Sequence, residues 1–219
     1  MKRLIFVFFV LSASAESLRY TINWPSGLSL GEASLDVTHA PKGAEKWTFA
    51  LDIDASVPGF PVRDHYQSSA GPDLCSAQFD KKFVHGSHKT EEHITFDQQN
   101  NTATRETQNG GKSEISLSPC GRDALTFIQF VRNELAQGLL PPQQQVVFGS
   151  VYQVHIEFTG SQTVRVGEQN VVADRILATI KGPSSNITVE MFFSHDSART
   201  PLLAKLPLSL GTFTVELVH

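Results

Sequence analysis

From Trp47 to Ala55 the side chains alternate with a period of two. Trp47, Phe49, Leu51, Ile53 and Ala55 fall on one face of KWTFALDIDAS, and Thr48, Asp52 and Asp54 take most of the other. That is the pattern of a strand with one buried face. SVYQVHIEFTG repeats it through Tyr152, Val154, Ile156 and Phe158, and ITVEMFFS and TFTVELVH follow the same habit. The clusters HAPKG, QNNT, QNGGK and KGPSSN separate these runs as turns. Strands recurring every ten residues or so predict an antiparallel meander.

One segment changes period. In SPCGRDALTFIQFVRNELAQGLLPP, Ala124, Phe127, Ile128, Val131 and Leu135 recur at helical spacing and form a single apolar stripe. The spacing predicts one helix over about 121–137. Asp123 stands near its positive end. Gly138 is a natural residue just past the helix, and Pro141-Pro142 prevent continuation. Phe130 lies off the stripe, where it either widens the apolar face or meets something other than the sheet. The predicted fold is mainly β: a curved antiparallel sheet or open β-barrel of about a dozen strands with one central α-helix.

QFDKKFVHGSHKTEEHITFD contains three of the chain's 8 histidines. Gly86-Ser87 has Gly first, as a two-residue type II′ turn requires. The resulting hairpin sets His85 opposite His88, Phe83 opposite Thr90 and Phe79 opposite Ile94. His93 then falls on the other face, opposite Asp80. Histidines divided between two faces do not make a three-ligand zinc site, and Glu91 and Glu92 point to opposite sides. No metal and no cofactor is expected. The hairpin contributes Phe79, Phe83, Ile94 and Phe96 to one apolar face.

The N-terminus is a separate unit. Lys2 and Arg3 precede the apolar run Leu4 to Leu11, and Ala13-Ser14-Ala15 supplies small residues at a cleavage site. Residues 1–15 therefore read as a secretory signal peptide cut after Ala15. The apolar run is far shorter than the roughly 20 residues of a membrane span. The remainder, 16–219, is expected to be a single β-rich domain in the periplasm or secreted, with no transmembrane segment. Loss of Lys2 and Arg3 takes the formal charge from −4 to −6. A mildly acidic chain with no Lys/Arg stripe does not suit nucleic acid or anionic lipid. In an oxidising compartment the only two cysteines, Cys75 and Cys120, are expected to form a disulfide. It would tie the helix start to the strand holding Cys75. The sequons at Asn100 and Asn186 matter only where secreted chains are glycosylated.

Signs of catalysis are few. Ser194-His195-Asp196 has the letters of a catalytic triad, but neighbours on a strand alternate faces and do not bond in series. Arg63 to Tyr66, RDHY, reads as an ion pair on an exposed face. There is no G-x-S-x-G elbow, phosphate loop, dinucleotide fingerprint or HExxH. No catalytic residue is assigned, and the chain is read as non-enzymatic. The prominent feature is aromatic: Phe79, Phe83, Phe96, Phe127 and Phe130 gather around the predicted hairpin and helix. Core packing explains them, and so does a greasy cavity between curved sheet and helix that holds an acyl chain.

The order of three longer stretches carries a resemblance. YTINWPSGLSLGEASLDV places Tyr20, Trp24, Gly27 and Gly31 in a Y-x-x-x-W-x-x-G-x-x-x-G arrangement. CGRDALTFIQFVRNELAQG and FFSHDSARTPLLAKLPLSLGTFTVEL follow. From about Tyr20 to Leu217 the chain resembles the bacterial exported family catalogued as domain of unknown function 3108. The resemblance implies a Gram-negative-type envelope and an exported β-rich domain, and it implies no activity. A helix set into an antiparallel sheet also resembles the open half-barrel of periplasmic lipoprotein carriers, at the level of fold alone.

The expectation is an exported, non-enzymatic periplasmic protein that binds a hydrophobic ligand such as a lipid, or an envelope component. The alternatives are a surface-acting envelope structural or assembly factor, and an envelope hydrolase. The hydrolase requires Asp64, His65, His195 and Asp196 to gather in one cleft. The helix stripe serves equally a helix that fills the core and one that caps a cavity.

Overall fold

The computed structural model describes residues 14–40, 45–57, 60–183 and 186–218. Its first eight strands are β1 (Ser14–Asn23), β2 (Ser29–His39), β3 (Trp47–Val57), β4 (Phe60–Ala70), β5 (Ser76–His85), β6 (His88–Asp97), β7 (Thr102–Thr107) and β8 (Lys112–Ser116). The two-residue β9 (Arg122–Asp123) leads into α1 (Ala124–Ala136). There follow β10 (Gln144–Phe148), β11 (Ser150–Val166), β12 (Gln169–Lys181), β13 (Asn186–Ser194), β14 (Pro201–Leu208) and β15 (Gly211–Leu217). The predicted signal segment lies outside the described residues up to Ala13, while Ser14 and Ala15 extend β1 opposite His39 and Thr38. The turns HAPKG and KGPSSN also fall partly outside them.

All fifteen strands form one open sheet, in the order β8-β7-β6-β5-β4-β3-β2-β1-β15-β14-β13-β12-β11-β10-β9. The meander exceeds the dozen strands expected, because short pieces such as β8 and β9 pair without any alternation of their own. One pair is parallel: Arg122 and Asp123 run beside Val146 and Val147. That pairing corrects the helix start. Arg122 and Asp123 are extended, and the helix begins at Ala124 and ends at Ala136, inside the expected 121–137. Cys75 lies just before β5, in the turn from β4, rather than within a strand. It is bonded to Cys120, with Cα atoms 4.8 Å apart.

The β5–β6 hairpin has the expected register, with His85 opposite His88, Phe83 opposite Thr90, Phe79 opposite Ile94 and Asp80 opposite His93. Gly86 has φ +62°, as a glycine-first turn demands.

Two polar anchors hold the helix against the concave face of the sheet. Asp123 is the N-cap. Its Oδ1 accepts from the backbone N–H of Leu125 and Thr126 at 2.8 and 3.1 Å, and its Oδ2 accepts from the Ser68 and Ser76 hydroxyls at 2.6 Å each. These bonds join the helix start to the ends of β4 and β5. Asp123 is fully buried, which pushes its carboxyl pKa up against the pull of those four donors. Further along, the Arg132 guanidinium donates to both Glu16 carboxylate oxygens, at 2.6 and 2.9 Å, and to the carbonyls of Ala198 and Arg199. Both anchors lie at one end of the sheet, where β1 starts and β13 turns into β14. The helix thus lies across that end. It is buried around most of its circumference, with Leu125 and Thr126 covered as well as Phe127, Val131 and Leu135. Gly138, at φ +73°, closes it.

Candidate functional site

The concave face is packed in one half and hollow in the other. Under β4 to β7, Tyr66, Phe79, Ile94, Phe96 and Ala103 join Leu125 in a buried cluster. On the other side of the helix a cavity of about 510 Å³ opens between α1, the strands β10 to β15 and the strands β1 to β3. The helix supplies Ala124, Leu125, Phe127, Ile128 and Val131. Facing walls come from Ile22, Leu35 and Leu51 on one side and from Val154, Ile156, Ala178, Met191, Leu203 and Leu206 on the other. The helix stripe therefore walls a cavity with Phe127, Ile128 and Val131, and its next turn, at Leu135, packs on β10–β13 residues.

Every residue lining this cavity is apolar or tyrosine. Its volume lies within the roughly 300–1,000 Å³ of small-molecule sites. The Tyr20 hydroxyl donates to the Pro201 carbonyl at 3.1 Å, and burial raises its pKa far above the ordinary value. It stays a neutral donor already engaged within the protein. The wall thus offers a ligand apolar contact and almost no hydrogen bonding.

The five phenylalanines singled out above occupy different places. Phe127 lines the cavity. Phe79 and Phe96 are buried in the packed half, and the Phe79 ring lies 5.9 Å from that of Phe148. Phe130 packs against both apolar clusters, with the Arg122 guanidinium 3.9 Å from the centre of its ring. Phe83 is half-buried and borders an outer polar groove with His65 and Lys82. The cavity wall is mostly aliphatic, so an aromatic count does not locate it.

A charged group faces inward beside Phe148 and breaks the apolar alternation. Glu92 accepts from Arg105 Nη2 at 2.6 Å and Nε at 3.2 Å, and Lys81 Nζ stands 3.6 Å away. Burial by itself would raise the Glu92 pKa; Arg105 and Lys81 outweigh it and hold the carboxyl below its ordinary value. Lys81 Nζ sits 4.7 Å from the centre of the Phe148 ring, and the turn at Gly149 passes directly over the group. A Cβ on Gly149 would come within 2.9 Å of Glu92 Oε2 and 3.1 Å of Lys81 Nζ. This latch connects the β10–β11 hairpin tip to β5 and β6 across the open side of the sheet. In sequence, the only trace of it is Lys81 and Glu92 standing at inward positions of their strands.

The other chemistry-bearing stretches are separate. The Ser194 hydroxyl donates to Asp196 Oδ1 at 2.8 Å, while His195 Nδ1 lies 2.9 Å from Asp174. Serine and histidine thus have different partners and form no relay. Asp196 accepts from the N–H groups of Ala198 and Arg199, which makes the segment a turn. In RDHY, Arg63 and His65 face outward toward Asp54 and Asp52. Asp64 faces inward and accepts from the Tyr66 hydroxyl at 3.0 Å, with His85 at 2.8 Å. Asp64 and His65 lie on β4, whereas His195 and Asp196 lie in the β13–β14 turn, and each has its own partners. Among the described residues, one trio has the spacing of metal ligands: Asp73 with Cys75 and Cys120. Its two sulfurs are joined to each other, so neither is a thiolate ligand. No described helix is long and apolar enough to cross a membrane.

The fold has a counterpart among solved structures. The crystal structure of a beta-barrel-like protein of domain of unknown function DUF1849 from Brucella abortus superposes with a TM-score of 0.63, over 95% of this chain and 96% of that one, at 6% sequence identity. The likeness is one of fold. No curated protein matches the chain. The family described as "Protein of unknown function (DUF3108)" matches residues 19–218, from the middle of β1 to the end of β15, and the chain belongs to that family.

Proposed function

We propose that this protein binds a hydrophobic ligand, a single acyl chain or a molecule of that girth, in the cavity between α1 and the sheet, without chemical turnover. The observation that carries the reading is the cavity wall: about 510 Å³ lined by apolar residues and tyrosine alone. Such a wall rewards the removal of apolar surface from water at about 25 cal/mol per Å² and gives polar substrates no bonds. The signal-like N-terminus and the Cys75–Cys120 bond support an exported, periplasmic setting.

The reading is tested by native mass spectrometry and lipid extraction of the purified chain, together with displacement of a fluorescent fatty acid. Ala178 lines the cavity and is buried. Ala178→Phe is expected to fill part of the cavity and weaken probe binding at least about tenfold, roughly 1.4 kcal/mol. A protein that co-purifies with no lipid and takes up no probe would overturn the reading.

A second reading, a surface-acting assembly factor, is favoured by β8. It ends the sheet with one edge unpaired among the described residues, and its side chains are mostly exposed. Pull-down from an envelope fraction with and without an edge proline at Glu114 discriminates the two.

A further inference from the structure

The cavity wall is not buried evenly, and the gradient runs along the strands. Next to α1 it is shut off from water: Phe127, Val131, Ile156, Ile176 and Phe193 are buried, the most exposed of them, Phe127, at 6%. At the opposite strand ends Ile22, Ile53, Tyr152, Ile180, Val189 and Leu206 also line it, and each is only half-buried. Three neighbouring strands repeat the trend within themselves. On β12 Ile176 and Ala178 are buried and Ile180 is half-buried. On β13 Phe193 is buried, and Met191 and Val189 are half-buried. On β11 Ile156 and Val154 are buried, and Tyr152 is half-buried. The helix therefore floors the cavity, and the mouth lies among the turns at the far end of the sheet.

The chemistry of the wall is as uneven as its burial. Tyrosines supply its only hydroxyls. Tyr20, toward the helix end, donates to the Pro201 carbonyl. Tyr152 stands at the mouth, and its hydroxyl bonds to no protein group among the described residues. A charged or strongly polar group carried down to the floor would lose its water and find no replacement. At the mouth the same group keeps its water and gains one donor. A wholly apolar molecule would instead leave hydrocarbon in water there.

We infer that the ligand is a single-headed amphiphile held tail-first. Its hydrocarbon end rests on α1 at Phe127 and Val131, and its head stays in water at the mouth, where it accepts a hydrogen bond from Tyr152. Tyr152 is then the residue that separates amphiphiles from plain hydrocarbon. This orientation rests on the cavity reading above, and adds to it the class of ligand and the direction in which it enters.

Two tryptophans report the orientation. Trp24 lies in the β1–β2 turn at the mouth end, edge-on to Phe213 at 5.0 Å, and Trp47 opens β3 at the helix end. Hexadecanoic acid is added to the full chain with bromine either beside the carboxyl or at the methyl end. Quenching of Trp24 is read as the difference between wild type and Trp24→Phe. Bromine beside the carboxyl is expected to quench Trp24 more strongly than bromine at the methyl end. Tyr152→Phe is expected to weaken hexadecanoate binding about fivefold, the worth of one hydrogen bond, and to leave uptake of hexadecane from cyclodextrin unchanged. Equal quenching by the two acids, stronger quenching from the methyl end, or a Tyr152→Phe variant that treats acid and alkane alike overturns the inference while the cavity reading stands. If neither acid nor alkane is taken up, both fail.

Discussion

Arg132 on the helix and Glu16 on the first strand, 116 residues apart, meet in a two-bond ion pair of 2.6 and 2.9 Å. The arginine side chain is only 6% exposed and the glutamate 33%. Removing one partner of a fully buried pair costs about 3–5 kcal/mol. Because Glu16 is partly solvated, Glu16→Ala is expected to cost about 2 kcal/mol in urea unfolding. An unchanged midpoint would mean that the carbonyls of Ala198 and Arg199 suffice to hold Arg132.

Asp123 combines two tasks, capping the helix and receiving Ser68 and Ser76. Asp123→Ala removes the acceptor for four donors, two of them buried hydroxyls. A lost cap costs about 1 kcal/mol, and each stranded buried donor about 1–3 kcal/mol. The expected total is at least about 3 kcal/mol. Asp123→Asn, which keeps one carbonyl oxygen, should lose less. Equal losses in the two variants, measured by chemical denaturation, would show that the capping oxygen is not what matters.

Cys75–Cys120 closes a loop 45 residues apart in sequence. Chain entropy assigns such a link about 4 kcal/mol. Non-reduced, denatured protein should show no titratable thiol, and reduction should lower the unfolding midpoint sharply. Two free thiols per chain would refute the bridge.

Acid should destabilise the fold through Asp174 and Glu92. Burial alone would raise the Asp174 pKa, but Ser161, His195 and Arg199 donate to the carboxylate and hold it below the ordinary value. A lowered folded pKa contributes stability above the unfolded value of about 3.9, and that stability is lost as pH falls through the folded one. The Asp174 and Glu92 contributions should therefore be lost below about pH 4 in urea unfolding, while Asp123, whose pKa burial raises, acts in the opposite direction as pH falls. Asp174→Asn should start lower and fall less steeply. A variant with the wild-type slope would remove Asp174 from this account.

Much of this was legible in the residues, and for local reasons. Gly86-Ser87 sets a turn type, and the turn type sets the register of every pair from His85–His88 to Gln78–Thr95. The Phe127, Val131 and Leu135 stripe identified the helix. What escaped is what long-range geometry decides. Arg122 and Asp123 left the helix because a parallel partner, Val146–Val147, lies far ahead in sequence. The five phenylalanines did not mark the cavity, because an inward-facing side chain reads the same whether the opposite wall touches it or stands off. Curvature of the sheet and the anchoring of α1 make that choice. The inward Lys81–Glu92–Arg105 group was also missed, since its charges are paired only once β5, β6 and β7 lie side by side.

The place of β1 in the sheet has a kinetic consequence. It lies between β2 and β15, and Thr21 pairs with Glu216, 195 residues later. No local hairpin completes the sheet. β1 and β14 each keep an open edge until β15 is available, and closing so long a loop is slow. During that wait the unfinished sheet offers two adhesive borders at its centre, so β15 is the step at which self-association competes with folding.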